Sequence, residues 1–216
     1  FYTAIFGTVI IFVGSYIVEK LRSDERLRGI LQLFTLMPMS VPGLVLGLAY
    51  IFYFNAEDNP INFIYATMTI LVINTIVHFY TVSHLTGVTA LKQMDKEFES
   101  VSLSLKIPLY KMFWKVTLPV CLPTIFDISI YLFVNAMTTV SGVIFLYTYN
   151  TTLASVSAIH LDEQGDVAAA AAMAMLIVYV SVLVRIIHTV FTKGVLRRTQ
   201  AWRQNSLTAV EEVRKA

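Results

Sequence analysis

"ESVSLSLKIPLYKMFWKVTLP", Glu99 to Pro119, decides how the rest of the chain is read. It carries Lys106, Lys111, Lys115 and two prolines, yet also Leu109, Met112, Phe113, Trp114 and Val116. Pro108 suits the first turn of a helix, and the residues after it are amphipathic. At about 100° per residue, Lys111 and Lys115 share one narrow side, and Leu109, Met112, Phe113 and Val116 fill another. Tyr110 and Trp114 widen the apolar arc. A helix apolar over more than half its circumference does not lie bare in water. Upstream, Phe98, Val101 and Leu105 recur at helical spacing, so Ser83 to Thr117 reads as helix, turn, helix. Two readings of the second helix stay open. It rests on lipid headgroups with its lysines snorkelling, or one side covers the ends of membrane spans while the other binds a partner.

The surrounding sequence is hydrocarbon. Of 216 residues 56% are hydrophobic and only 14% charged, and the mean hydropathy is +0.69. A soluble domain keeps about a quarter of its residues charged, so this chain lacks the polar surface that water demands. The net charge of +2 is too small to point to nucleic acid. The single cysteine, Cys121, excludes an intrachain disulfide and any cysteine-based metal site, and reads as a small buried apolar residue. The opening "FYTAIFGTVI" has no charged n-region and no initiator Met, so the chain reads as a piece of a longer protein that starts near or inside a span.

A spanning helix needs about 20 mostly apolar residues. Five segments qualify: Phe1 to Val18, Ile30 to Phe54, Ile61 to Val82, Leu118 to Tyr147, and Val167 to Phe191. The fourth is long enough to tilt or break near its middle. The expected architecture is therefore an all-α membrane protein of five spans with a helix-turn-helix loop over about residues 83–117. Residues 1–203 form one domain, and 204–216 a tail.

The basic residues are one-sided. Lys20, Arg22, Arg26 and Arg28 follow span one, and Lys92, Lys96, Lys106, Lys111 and Lys115 lie between spans three and four. Lys193, Arg197, Arg198, Arg203, Arg214 and Lys215 follow span five, and Arg185 lies in its last two turns. The opposite connections, "NAEDNP" and "YNTTLASVSAIHLDEQGD", contain none. The positive-inside rule then places the Glu99 to Pro119 loop and the C-terminus in the cytoplasm and the N-terminus outside.

Polar groups in hydrocarbon are costly and face a bundle interior or a cavity. Asn74 and His78 share a face of span three. Span four carries Asp127, Asn135, Thr138, Thr139 and Ser141, and Asn135, Thr138, Thr139 and Gly142 fall on one side. These are the candidate pathway residues, with interhelical hydrogen bonding as the plain structural alternative for each. Pro38, Pro42, Gly43 and Gly47 should bend or loosen span two, which suits a helix that moves during gating. Arg185 and His188 lie near the cytoplasmic interface, where snorkelling accounts for them. No phosphate loop of the form G-x-x-x-x-G-K-[ST] is present, so any ATP hydrolysis belongs to another polypeptide. His78, His84, His160 and His188 are scattered without metal-ligand spacing. Neither a catalytic constellation, a metal site nor a cofactor is expected.

The stretch "SLKIPLYKMFWKVTLP" resembles the second half of the EAA loop of bacterial ABC importer permeases, which ends in a short helix followed by Leu-Pro. The likeness extends to "VEK" (Val18 to Lys20), "MPMSVPGLVLGLAYIFYFN" (Met37 to Asn55) and "HLTGVTALKQMDKEFE" (His84 to Glu99). It continues in "LFVNAMTTVSGVIFLY" (Leu132 to Tyr147) and "RRTQAWR" (Arg197 to Arg203). Together these look like permeases for 2-aminoethylphosphonate uptake; relatives handling iron(III), sulfate or polyamines share the general plan. The resemblance implies the type I importer permease fold in the bacterial inner membrane. Its implied partners are ABC ATPase subunits, a second permease half and a periplasmic solute-binding protein, beside membrane lipids. The resemblance also implies an ATPase-docking set of Glu99, Lys106, Leu109, Tyr110, Met112, Phe113, Trp114, Val116 and Pro119. Counted back from Leu118-Pro119, the motif's Glu falls on Ser100, with Glu99 one position earlier, and its turn Gly falls on Lys106. A lysine is disfavoured in a left-handed turn, so a differently shaped turn is expected there. The alternative of another class is a membrane-embedded binding or signalling protein whose cytoplasmic helix recruits a partner other than an ATPase.

Overall fold

A computed structural model describes residues 1–20, 25–94 and 97–199, which form helices and turns without a strand. The expected tail at 204–216, and Arg22, Lys96 and Arg203, lie outside the described residues. Along the chain come α1 (Tyr2–Lys20), α2 (Glu25–Ser40), α3 (Gly43–Phe54), α4 (Met68–His78), α5 (Tyr80–Lys92) and α6 (Glu97–Ser104). Then follow α7 (Leu109–Met112), a π-helical turn (Phe113–Thr117), α8 (Leu118–Val120), α9 (Leu122–Thr138), α10 (Ala154–Glu163) and α11 (Val167–Thr199).

Two helices, α1 and α11, are long and apolar enough to cross a membrane unbroken, and three bent pairs make up five candidate spans. Local chemistry explains two of the bends. Pro38 inside α2 and Pro42 ahead of α3 withhold the N–H groups that would carry the helix on, and the axes turn by 104°. Pro119 and Pro123 do the same where the segment Tyr110–Val120 meets α9 at 71°. With no Pro119 N–H, the ladder widens into the π turn, in which Leu118 N–H donates to the Phe113 carbonyl. The 57° bend between α4 and α5 has no proline. Its joint residue Phe79 packs edge-on against Tyr131 of α9.

Three span boundaries differ from the expectation. Span three starts at Met68, not Ile61, because Asn59 to Thr67 is tied into turns and a 3-10 segment by its own Asn and Thr side chains. It also continues to Lys92, so Ser83 to Leu91 is not loop: Ser83, His84, Gly87, Val88 and Leu91 are buried. Span four ends at Thr138, where Thr139 turns extended (φ −69°, ψ 137°), and Thr139 to Tyr147 returns through non-helical turns. The outer connection is itself helical. Its α10 lays buried Val156 on Ile70, Leu71, Val143 and Leu146.

A second buried cluster, at the other end, joins Ile11 and Phe12 of α1 to Leu91, Met94, Cys121, Ile128 and Leu132. The outward faces of α1 (Ile5, Phe6, Val9, Ile10) and α11 (Leu183, Ile186, Ile187, Val190) are more than half exposed. In water such faces would be prohibitive at about 25 cal/mol per Å²; against lipid tails they cost nothing. Helices in that solvent are held by close approach and hydrogen bonds, which is what their crossings show.

Candidate functional site

The loop after α5 divides into two faces. Helix α6 ends in a Schellman-type stop: Ile107 N–H donates to the Ser102 carbonyl at 2.9 Å, and Lys106 takes a left-handed φ of 51°. The turn therefore keeps the geometry a glycine would adopt, and the expectation of a differently shaped turn is corrected. The helix stop demands that geometry whatever the side chain.

Beyond Pro108, Met112 is buried, and the Phe113 ring packs on Tyr16 (4.7 Å) and Phe12 (6.2 Å) of α1. Val116 packs on the same inner cluster. The resemblance put these three in the docking set; in the structure they pack on the spans, the side of the helix that covers the span ends. The π turn contributes to this, since its wider pitch keeps Phe113, Val116 and buried Thr117 on the inward side. Tyr110 and Trp114 are each more than 60% exposed. With exposed Phe98, Val101, Leu105 and Ile107 of the preceding segment they form an uncovered apolar face, beside exposed Lys106, Lys111, Lys115 and Pro119. The side chains of Glu99 and Leu109 lie outside the described residues.

The polar residues of the spans fall into three places. In the first, Asn74, fully buried, donates to the Gly142 carbonyl at 2.7 Å, and its Oδ1 has no partner. A Cβ on Gly47 would stand 2.8 Å from that same carbonyl oxygen, and one on Gly43 2.6 Å from Ser141 Oγ and 3.1 Å from His78. Gly43 and Gly47 were read as loosening span two. Gly43, with Pro38 and Pro42, lies at the bend, and both glycines also let α3 approach the turns after α9 at backbone distance.

In the second place, Asn135 and Thr138 bond within their own helix, to the Tyr131 and Val134 carbonyls at 2.7 and 3.1 Å. Among the described residues, neither makes a bond to another helix. Thr139 is half-buried, and its carbonyl accepts from Ser155 of α10 at 2.8 Å.

The third place is a cavity of about 500 Å³ between α5, α9 and α11. Asp127, half exposed, reaches His188 Nε2 at 3.4 Å, and Arg185, Thr189, Thr192 and Lys193 line the same wall. Arg185 and His188, read separately as snorkelling residues, thus share one site with Asp127. Sequence reasoning also passed over Ser15 and His84. Buried Ser15 Oγ donates to the Ile11 carbonyl at 2.8 Å and lies 3.1 Å from His84 Nδ1, at a crossing where Gly87 admits the serine. Its signal was small residues on both helices, Ser15 facing Gly87 and Gly14 facing Tyr80. Among the described residues no group of His, Cys, Asp and Glu is arranged to hold a metal.

Comparison with known proteins agrees with this anatomy. The chain is 33% identical over 178 residues to the ferric transport system permease protein FbpB of Actinobacillus pleuropneumoniae, covering 82% of this chain and 25% of that one. It is 35% identical over 149 residues to the putative FbpB 1 of Haemophilus influenzae, covering 69% and 22%. The chain thus spans about a quarter of the length of these relatives. The fold is similar to a chain in the crystal structure of a bacterial ABC transporter involved in the import of the acidic polysaccharide alginate. The TM-score is 0.72 at 12% identity, over 89% of this chain and 77% of that one. Residues 9–197 match the family model of binding-protein-dependent transport system inner membrane components, and the chain belongs to that family.

Proposed function

We propose that the chain is the translocating part of an ATP-driven importer in a bacterial inner membrane, with its C-terminus in the cytoplasm. The observation that carries this is the two-faced loop. One face is anchored on α1 through Phe113, and the other leaves Tyr110, Trp114, Leu105 and Ile107 uncovered. In a family whose members work beside a binding protein, such a face is where a separate ATPase docks. Docking on a loop that is packed against a span converts ATPase closure into movement of that span. The chain is a transport subunit and not an enzyme. A second permease half and an external binding protein complete the machine, and family membership sets aside the signalling alternative.

For cargo, the relatives favour iron(III), since both long matches are ferric permeases. They give the 2-aminoethylphosphonate reading no support, and it rests only on the resemblance of the quoted stretches. Reconstitution with the cognate ATPase and binding protein, followed by uptake of labelled iron(III) and labelled 2-aminoethylphosphonate, tests both. ATP-dependent uptake of iron(III) alone is expected. Uptake of the phosphonate alone reverses the cargo; uptake of neither rules out both and turns the assay to sulfate and polyamines, and uptake of none of the four ends the transport reading.

A further inference from the structure

On α11, Arg185, His188, Thr189, Thr192 and Lys193 follow one another at i, i+3, i+4, i+7 and i+8. That spacing puts them on one stripe of an otherwise apolar helix. Arg185, Thr189 and Lys193 are exposed, and His188 and Thr192 half-buried. The stripe forms one wall of the 500 Å³ cavity whose other walls are Ser83 and Thr86 of α5 and Asp127 and Tyr131 of α9. Asp127 is answered by His188 at 3.4 Å. Among the described residues no carboxylate lies within ion-pair distance of Arg185 or Lys193. Ser83 lines the cavity, is 1% exposed, and its Oγ has no hydrogen-bond partner. Snorkelling accounts for cations at a membrane edge. It does not account for the buried, unsatisfied Ser83 hydroxyl; the Thr86 and Thr189 hydroxyls donate to carbonyls of their own helices, and that of Thr192 lies 3.2 Å from His188 Nε2.

We propose that this cavity is a binding site for a phosphate-class oxyanion, held by Arg185 and Lys193 and by the unpartnered hydroxyl of Ser83. Several oxygens around one centre match several convergent donors, and Arg is the side chain best shaped to grip two of them. His188, held by Asp127, sets one edge of the site. The anion is either the headgroup of an anionic phospholipid or a small soluble phosphate-type solute. This goes beyond the transport reading and does not require the anion to be the cargo.

The test is equilibrium binding to the purified transporter complex without transport, so its failure leaves the transport reading untouched. One arm measures lipid retained from nanodiscs of phosphatidylcholine with and without phosphatidylglycerol; the other measures binding of inorganic phosphate. Selective retention of phosphatidylglycerol, binding of phosphate, or both is expected. The losing variants are Lys193→Gln and Arg185→Gln, each weakening the bound probe about tenfold, the loss of one charge-assisted hydrogen bond. Arg185→Lys recovers part of it, and Ser83→Ala gives a smaller loss without removing a charge, which keeps the test alive if Arg185→Gln does not assemble. Lys111→Gln, outside the cavity, binds as the parent. Binding of neither probe, parental binding by Lys193→Gln and Ser83→Ala, or equal loss in Lys111→Gln overturns the proposal.

Discussion

The Asn74 amide donates to the Gly142 carbonyl across 2.7 Å, joining α4 to the non-helical stretch that follows α9. Gly142 lies in the turns after Thr139, where carbonyls are no longer consumed by a helical ladder. An unpaired carbonyl in a bundle interior costs about 1–3 kcal/mol, so the break is tolerated because Asn74 answers it. Asn74→Leu is therefore expected to lower the stability of the solubilised protein by about 1–2 kcal/mol. Thermal unfolding read by circular dichroism checks this, and a parental midpoint would show that the bond carries nothing.

Gly47→Ala has the larger cost. Its new methyl group meets the Gly142 carbonyl at 2.8 Å, which is backbone and cannot swing aside. A loss of about 2–3 kcal/mol is expected. Gly29→Ala, with open space around it, serves as the contrasting variant and should be neutral or slightly stabilising.

The two aromatic neighbours Phe113 and Trp114 should part company. Trp114→Ala removes an exposed group, so the folded chain keeps its stability while association with the ATPase weakens by about 2 kcal/mol or more. Phe113→Ala leaves a hole against Tyr16 and Phe12 and costs about 3–5 kcal/mol of stability. Pull-down of the ATPase beside a melting curve for each variant separates the effects. Full ATPase binding and uptake by a Tyr110→Ala, Trp114→Ala double variant would leave the helix merely resting on lipid.

Lys106→Gly should raise stability. The left-handed backbone at φ 51° costs a lysine about 1–2 kcal/mol, part of which glycine returns as unfolded-chain entropy. A net gain of about 0.5–1 kcal/mol is expected. A melting midpoint below that of the parent would mean that the lysine side chain holds the turn by a contact worth more than the strain.

Asn135 and Thr138 bond only to their own helix in the described structure, so replacing them removes no tie between helices. Asn135→Leu is expected to leave stability within about 0.5 kcal/mol of the parent and to depress transport per assembled complex. Thr139→Val acts in the same direction more mildly. Unchanged specific transport by both would take this face out of the pathway.

Orientation can be read directly, because the native Cys121 is buried and silent to polar reagents. A cysteine at Ser100 is expected to label only from the cytoplasm and one at Asn150 only from outside. The reverse pattern would put the loop beyond the reach of any ATPase.

Composition and the Lys and Arg placement are one-dimensional signals, and they carried what one dimension holds. A run of about 20 apolar residues has few alternatives to a membrane helix, so all five candidate spans were legible, but the loop was read as starting at Ser83 whereas the helix runs on to Lys92. The six prolines marked turns and bends for the same local reason, an N–H that is missing wherever the chain goes. Tertiary structure decided what periodicity leaves ambiguous on a helix that is apolar all round. Which of Phe113 and Trp114 turns inward depended on a π turn, and that turn depends on Pro119 acting on Leu118 and on α1 offering Phe12 and Tyr16. Asn74 meeting Gly142, 68 residues away, and Asp127 meeting His188 are encounters of helices far apart in sequence. Spacing along a chain cannot specify them, because in lipid the choice among apolar faces is made by close fit and by whichever polar groups find one another.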